Sequence, residues 1–416
     1  MKRTLRPAMA GLCWMLCVSS SSADGLFLNG VSPRSIGRGG TNIGFADNGA
    51  ALFDNPAAMV NLPGQGLVDV GVDVLFTDFN YSDPQNLGVS SKIASPLPQI
   101  SVIRKSADER FAFGVGLFAP AGFSEEYEMT GPPLMPGPRH YESFGALVKV
   151  LPGFAWKVTD RLAIGGTLGL GYSQIELEGP YVLQSAGLPT VMKTRADGFA
   201  VVGSLGLQFQ ATDTTTLGLT WQSESRFGLD GDTFVGLGPG FAANYDADLR
   251  IKWPRSIAFG VRQQLADYHT VSADVTWLNW SESFDTASLH LSSPTMPLFP
   301  PAVVEHIPLQ WQDTVSMRLG YEYDLGSQET LRLGYVYTPN PIPAATLSPF
   351  IQSIMEHGFS CGYGFPVLGC EIDISYMFTF GPDQHVGTSA FIGGDFDNSS
   401  TSAQTHAIGI SAIRRF

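Results

Sequence analysis

Large apolar residues alternate with small or polar residues along most of this chain, and this period-two pattern constrains the fold more than any other feature. Residues 162–173, 199–210, 315–325 and 372–380 all alternate in this way. Alternation places one kind of side chain on each face of a β-strand. Soluble strands average about 5–6 residues, whereas a tilted strand that crosses a membrane needs about 9–11. The length of these segments therefore predicts transmembrane β-strands.

Aromatic residues near the ends of the alternating segments support this interpretation, because they would form girdles at the membrane interfaces. They include Trp277, Trp280, Tyr335 and Tyr337. A large soluble β-sandwich is the alternative. In segment 315–325, such a sandwich would have to expose Arg318 and Glu322 on one face while it buries every tyrosine on the other.

The alternating segments lie at approximately 66–82, 98–105, 109–119, 141–158, 161–178, 194–211, 214–227, 245–265, 268–280, 311–325, 327–338, 357–365, 369–381 and 404–416. An even number of strands suits a closed bacterial barrel, and closure pairs the backbone groups that lipid cannot satisfy. Segment 245–265 contains Trp253-Pro254, which fits either a kink or a turn. The predicted fold is all-β: a transmembrane antiparallel β-barrel of about 14 strands over residues 66–416.

Residues 1–23 are predicted to be a secretory signal peptide. The basic start consists of Lys2, Arg3 and Arg6. The apolar stretch 8–18 is too short to span a bilayer, and Ser21-Ser22-Ala23 offers small residues before a cleavage site after Ala23. A lipoprotein signal at Cys17 is the alternative, but Leu16 stands where such a signal needs a small residue.

The balance of charge excludes one class of partner. The chain carries 38 acidic and 24 basic residues, and its formal net charge is −14. Such an acidic chain is not expected to bind nucleic acid. Mean hydropathy is +0.07, yet no segment after the signal approaches the roughly 18 apolar residues of a membrane-spanning helix.

Residues 24–65 show no period-two pattern and are rich in glycine, alanine and asparagine. A 14-stranded barrel has a lumen too wide for its own side chains to fill. We therefore expect this segment to fold inside the lumen as a plug, which we call the hatch.

Several short runs resemble one known family, and together they extend over nearly the whole mature chain. They are Gly25-Leu26-Phe27, Ser35-Ile36-Gly37-Arg38-Gly39-Gly40, Ala46-Asp47-Asn48-Gly49-Ala50-Ala51, Asn55-Pro56-Ala57, Phe118-Ala119-Pro120-Ala121-Gly122-Phe123, Trp280-Ser281, Leu331-Arg332-Leu333-Gly334-Tyr335 and Pro341-Ile342-Pro343. The sequence is similar to the FadL family of outer-membrane transporters, which import long-chain fatty acids, and to its relatives that import aromatic hydrocarbons. The resemblance implies ligand-gated passive uptake of a hydrophobic small molecule across the outer membrane of a Gram-negative bacterium.

In that family the hatch packs near a kink in the third strand, and the kink opens a hole in the barrel wall. The resemblance implies that Asn55, Pro56 and Ala57 approach the third strand near residues 118–123. The wall residues implied are Phe118, Pro120, Gly122 and Phe123. Pro120 cannot donate a ladder hydrogen bond and Gly122 weakens pairing further, which independently favours a break there.

Two segments, 179–194 and 227–245, are interpreted as long apolar loops, and exposed apolar patches mark binding sites. The candidate ligand-binding residues are Tyr181, Val182, Leu183, Leu188, Val191, Met192, Phe234 and Phe241. The resemblance implies an extracellular groove that captures substrate first and a deeper pocket near the hatch; packing of the loops on each other is the alternative. Candidate partners for a fatty-acid carboxylate are Lys193, Arg195 and Arg318, whereas a neutral hydrocarbon needs none.

Cys361 and Cys370 are expected to form a disulfide across a hairpin centred on Phe365-Pro366, closing a periplasmic turn. The seven histidines are scattered and no phosphate-binding loop is recognisable, so we expect no enzyme activity, no cofactor and no metal. Expected partners are the hydrophobic ligand, outer-membrane lipid or lipopolysaccharide, and the barrel insertion machinery, which would read the C-terminal strand ending in Phe416. The protein is expected to be a monomer. The alternative function is that of a surface-recognition or structural barrel without transport, such as an adhesin or phage receptor.

Overall fold

The computed structural model describes residues 26–416, so the predicted signal peptide lies outside the described residues. The strands are β1 Gly66–Ser82, β2 Val89–Lys105, β3 Phe111–Thr130, β4 Pro138–Thr159, β5 Leu162–Leu183, β6 Leu188–Gln210, β7 Thr215–Gln222, β8 Ser225–Gly238, β9 Phe241–Trp253, β10 Ser256–Ala266, β11 His269–Leu278, β12 Thr286–Ser292, β13 Ala302–Pro308, β14 Thr314–Gly326, β15 Glu329–Tyr337, β16 His357–Val367, β17 Cys370–Phe380, β18 Gln384–His385 and β19 Ser400–Arg415. The helices are α1 Pro33–Gly37, α2 Ala51–Asp54 and α3 Trp280–Ser283, with 3-10 helices at Pro56–Asn61 and Ala344–Thr346. Across residues 26–416, no helix has both the length and the apolar character needed to cross a membrane.

The strands form a closed antiparallel barrel, because β1 pairs with both β2 and β19. Strands β7 and β8 are two parts of one barrel strand, as are β9 and β10. The hairpin of β12 and β13 extends beyond the rim, and β18 only touches β19. Fourteen barrel strands result within the described chain, which confirms the predicted fold class.

The number of predicted segments is correct. Several are shorter than the observed strands, and segment 245–265 runs across the break between β9 and β10. The interruption after Trp253 falls at Pro254, which resolves the ambiguity there in favour of a kink within one barrel strand. Strand β2 begins at Val89 rather than at residue 98, and β3 continues to Thr130 rather than ending at 119. Prolines in both strands hid these extensions, because proline usually ends a ladder.

The two rims of the barrel differ in their connections. Turns of a few residues join β2 to β3, β4 to β5, β14 to β15 and β16 to β17, whereas long segments join β11 to β14 and β15 to β16. Outer-membrane barrels carry their short turns on the periplasmic side and their long loops outside. Large apolar side chains cover the outer wall, where they would face lipid in the membrane. Leu168 and Phe199 are examples, with 70% and 68% of their surface exposed.

The segment 26–65 lies inside the barrel, where nearly all of its side chains are buried. Ser32 caps α1 and Pro33 occupies its first turn, as expected for a helix start. Gly39 has a φ of +70°, and a Cβ there would stand 2.9 Å from the carbonyl oxygen of Leu319 in the wall. Glycine is required at this position both by backbone conformation and by close approach.

Buried charges bind the hatch to the periplasmic half of the wall. Arg34 donates to Asp373 at 2.8 Å, to Glu371 at 2.7 Å and to Asp47 within the hatch at 3.0 Å. Arg38 pairs with Asp47 at 2.9 Å and contacts the wall through β14. Burial works to lower the pKa of Arg34, but its three carboxylate neighbours raise it well above the usual value. Burial likewise works to raise the pKa of Asp47, yet the two arginines hold it well below the usual range.

The predicted disulfide is wrong. Both cysteines are free, and Cys361 pairs across the hairpin with Tyr376 rather than with Cys370. The turn lies at Leu368 and Gly369, whose φ values of 51° and 76° suit a tight two-residue hairpin turn. Cys361 is therefore six ladder positions away from the turn, about 20 Å along the strand.

Candidate ligand cavity and wall opening

The Asn55-Pro56-Ala57 motif lies against β5 and β6, not against residues 118–123, so the predicted contact is wrong. The side-chain amide of Asn55 donates to the carbonyls of Leu207 at 3.1 Å and Ile43 at 2.7 Å. A Cβ on Gly165 would stand 2.6 Å from the Ala57 nitrogen. Gly165 of β5 and Gly206 of β6 are paired across the ladder, and they form the flat patch of wall against which the motif packs. No sequence pattern within β5 or β6 identifies the motif as the segment that packs there.

A different part of the hatch meets the kink in β3. The pairing of β3 with β4 shifts register between Phe118 and Ala121, which leaves Ala119 and Pro120 outside that ladder. Leu28 donates its N–H to the carbonyl of Pro120 at 2.9 Å, and Gly122 donates to the carbonyl of Leu26 at 3.2 Å. The first described residues of the hatch thus act as a short strand on the kink.

Strands β2 and β3 separate in the upper half of the wall. Their ladder runs from Lys105 to Ile100 and stops there. Above the break, the N–H of Glu126 reaches the Ser91 hydroxyl at 2.9 Å, and the strands have no ladder pairing in between. Within the described chain, residues 92–99 and 118–125 therefore border an opening about eight residues long, or roughly 26 Å along the strands.

Prolines line this opening. Pro96 and Pro98 in β2 have no N–H to donate to either neighbouring strand, and Pro120 in β3 has none either. Proline within a sheet is confined to edges and bulges, and the opening turns both strands into edges. The sequence therefore prevents full pairing at this point of the wall.

A cavity of about 590 Å³ lies behind the opening, bordered by the hatch. This volume falls within the usual range for small-molecule sites. Its lining is mostly apolar and includes Phe27, Phe79, Leu97, Leu117, Phe123 and Met377. The ionisable groups among the described lining residues are Asp73 and Glu125, and Glu125 accepts a hydrogen bond from the Ser143 hydroxyl at 2.8 Å.

Three of the four implied wall residues meet this cavity or its border. Gly122 and Phe123 line it, Pro120 borders it through the hydrogen bond to Leu28, and Phe118 is fully buried beneath. The ring of Phe118 lies 5.8 Å from that of Phe53 in the hatch. Their role in ligand passage stays a prediction.

The candidate capture loops are strands. β5 and β6 pair as far as Leu183 and Leu188, and β8 and β9 pair as far as Gly238 and Phe241. Their apolar residues alternate between an inner cluster and the outer surface: Val182, Leu183 and Met192 are buried, Tyr181 and Val191 are half-buried, and Leu188, Phe234 and Phe241 are exposed. Within the described chain, none of the eight lines the 590 Å³ cavity.

None of the three candidate carboxylate partners reaches that cavity either, as far as the described residues extend. Lys193 and Arg195 project from the same face of β6 as the lipid-exposed Phe199, and they pair there with Glu178 and Glu176. Arg318 lines a separate cavity of about 60 Å³, which it shares with Asp54.

An aromatic cluster that the sequence did not reveal holds the start of the hatch. Phe27 lies 5.7 Å from Trp253 and 5.8 Å from Trp280, measured between ring centroids. Trp280 in turn contacts Phe284 edge-on at 5.1 Å and Trp311 at a tilt at 4.8 Å. These rings come from three loops and strand ends far apart in sequence, so no local period could have grouped them.

The closed barrel, the internal hatch and the apolar cavity behind a wall opening define a class: outer-membrane channels for hydrophobic compounds. The chain belongs to the outer membrane protein transport protein family (OMPP1/FadL/TodX), whose family model matches residues 15–416. Members of this family are Gram-negative outer-membrane β-barrels that act as transport channels, not enzymes. The comparison with curated proteins found no significant match.

Solved structures share the fold. A FadL homologue of Pseudomonas aeruginosa is 17% identical with a TM-score of 0.77, covering 94% of this chain and 100% of its own. The toluene transporter TodX of Pseudomonas putida is 21% identical with a TM-score of 0.77, covering 94% and 99%. The toluene transporter TbuX of Ralstonia pickettii is 20% identical with a TM-score of 0.73, covering 94% and 99%.

Proposed function

We propose that this outer-membrane channel takes up uncharged hydrophobic small molecules and releases them sideways through the opening between β2 and β3. One observation carries the proposal: the apolar cavity is lined from both borders of the opening, by Leu97 on β2 and by Phe123 on β3. A ligand held there reaches the wall without crossing the charged lower half of the lumen. Burial of apolar ligand surface supplies the binding energy, at roughly 25 cal/mol per Å².

The described lining of the cavity has two acidic groups and no basic one, which favours a neutral hydrocarbon over a long-chain fatty acid. Asp73 and Glu125 border the cavity, and a bound carboxylate would add a further acidic group. Burying an unpaired charge is costly, and like charges close together oppose ionisation. The TodX and TbuX structures, described as toluene transporters, agree with this choice.

The hatch controls the passage in this proposal. Leu26 and Leu28 bond to β3 beside the opening, while Arg34 fixes the hatch below. A ligand that prefers the state with the first residues displaced shifts the equilibrium toward that state. Uptake is therefore passive and ligand-gated, with no nucleotide or metal involved.

We also propose how the chain is exported and inserted into the outer membrane. Residues 1–23 are removed on export, residues 24–65 serve as the hatch, and residues 66–416 form the barrel. The insertion machinery reads the strand that ends at Phe416, and the protein works as a monomer among outer-membrane lipids and lipopolysaccharide. Across the described chain, an adhesin or phage receptor would give no reason for the opening or for the cavity behind it.

Blocking the opening tests the exit route. Ala94 is exposed and lines the cavity from β2, so Ala94→Trp places a large ring at the opening without disturbing a packed core. Ala266→Trp at the periplasmic rim is the matched control. With radiolabelled toluene and cells that express each variant, we expect Ala94→Trp to slow uptake at least ten-fold while Ala266→Trp leaves it unchanged. Equal uptake in both variants would rule out this exit.

A further inference from the structure

Three glutamates stand side by side on the outer surface of the barrel, near the extracellular rim. Glu126 of β3 lies directly opposite Glu142 of β4, and Glu142 lies directly opposite Glu178 of β5. Like charges in such cross-strand pairs are destabilising. Lys193 of β6 follows in the same row and pairs with Glu178, so one lysine faces three carboxylates along this row.

A histidine beside the row is oriented for metal binding. The Nδ1 atom of His140 lies 2.7 Å from a carboxylate oxygen of Glu128. An ionised carboxylate can only accept, so Nδ1 carries the proton, and in the neutral form of the ring the lone pair of Nε2 lies on the other side. That Nε2 atom is 3.6 Å from a carboxylate oxygen of Glu142. A carboxylate that orients a histidine in this way is the usual second partner of a metal-binding imidazole.

We propose that His140, Glu142 and Glu178 bind a divalent transition-metal ion of the Zn²⁺ class on the outer wall. One ligand atom of each residue lies within 4.8 Å of the other two. Zinc takes nitrogen and carboxylate ligands at about 2.0–2.2 Å, so modest rotations of these half-exposed side chains would close the site. The ion offsets the repulsion in the row, and a solvent molecule completes its coordination.

The site joins strands next to the wall opening but is independent of the proposed transport function. The ion links β4 to β5 directly, and through Glu128 it also holds β3 above the point where that strand leaves β2. Lys193 competes with the ion for Glu178. Removal of Lys193 should therefore strengthen binding at this site, whereas it should not strengthen non-specific binding to other surface carboxylates.

Calorimetric titration of the untagged, metal-free full chain in detergent with Zn²⁺ tests the proposal. We expect one saturable site, at least ten-fold weaker binding for His140→Gln and for Glu142→Gln, and tighter binding for Lys193→Met because Glu178 is released. His306→Gln is the matched control, since His306 is an exposed histidine on β13 that bonds to Ser288. Binding to this variant should equal that to the wild type.

Each other outcome would overturn the proposal. Absence of saturable binding would mean that His140, Glu142 and Glu178 form no metal site. Weakening by Lys193→Met, or equal affinity of wild type and His140→Gln, would mean binding elsewhere. Equal affinity for Ca²⁺ would reduce the site to a carboxylate cluster without a role for the imidazole. The shift in gel mobility between unheated and heated samples verifies that every variant is a folded barrel.

Discussion

Leu28 of the hatch donates its backbone N–H to the carbonyl of Pro120, at 2.9 Å, where β3 is paired with neither of its neighbours. An unpaired backbone group within a membrane costs several kcal/mol. The hatch therefore supplies a hydrogen bond that the barrel itself does not provide at the kink. The same few residues also border the ligand cavity, so displacement of the hatch and opening of the wall are physically coupled.

Leu28→Pro removes this donor and should loosen the start of the hatch. Loss of the donor leaves the Pro120 carbonyl unpaired, at a cost of at least about 1 kcal/mol, so the amide of Gly122, which bonds to Leu26, should exchange with solvent at least about five-fold faster. Leu28→Ala, which keeps the N–H, is the control for the loss of the side chain. Hydrogen exchange read by mass spectrometry measures both. Unchanged exchange in Leu28→Pro would show that the bond does not hold the hatch.

Arg34→Gln should destabilise the barrel, because it removes a buried cation that pairs with buried Asp373 and half-buried Glu371. Each carboxylate then keeps one arginine, Arg332 for Asp373 and Arg415 for Glu371. Removing one partner of a buried ion pair costs about 3–5 kcal/mol. The free energy of unfolding, from urea titration in detergent, measures the loss. Arg226→Gln on the exposed outer surface should change it by less than about 1 kcal/mol. The double variant Arg34→Gln with Asp373→Asn should recover part of the loss, and failure to do so would contradict the pairing.

Two adjacent glycines of β5 should respond differently to alanine. A Cβ at Gly165 meets the backbone of Pro56 and Ala57 at 2.6 Å, whereas at Gly166, on the opposite face, the nearest atom is 3.2 Å away. Overpacking costs about 1–3 kcal/mol. Gly165→Ala should therefore lower the melting temperature, and Gly166→Ala should leave it nearly unchanged. Equal effects would mean that the hatch does not rest on this patch of wall.

Asp54 should make the stability of the protein depend on pH. Burial raises the pKa of Asp54 from 3.8 to about 6, although Asn42 donates a hydrogen bond to it. A raised pKa in the folded state means that the contribution is fully present below about pH 4 and is lost as pH rises through about 6. The change is about 3 kcal/mol at most.

Asp54→Asn is the matched variant for this test. The difference in unfolding free energy between wild type and variant should move in favour of the variant as pH rises from 4 to 7. Urea titrations at a series of pH values measure it. A difference that is constant over this range would contradict the assignment.

The sequence predicted the barrel because alternation is a local property, and β1 was identified with its observed bounds of 66 and 82. Contacts between distant segments could not be predicted in the same way. Gly165 and Gly206 meet the Asn55 motif only once the barrel has closed around the hatch. The misplaced disulfide has a local cause, because leucine at a positive φ is a rare turn residue and Phe365-Pro366 looked like a better turn.

The most direct test of the central claim is a binding titration of the purified, detergent-solubilised protein with toluene and, separately, with oleate. A cavity with an apolar lining and with acidic groups at its border should bind toluene saturably and oleate weakly or not at all. Ala94→Trp, which narrows the cavity at the opening, should weaken toluene binding relative to Ala266→Trp. Saturable binding of oleate with no binding of toluene would contradict the account and return Lys193, Arg195 and Arg318 to consideration as carboxylate partners.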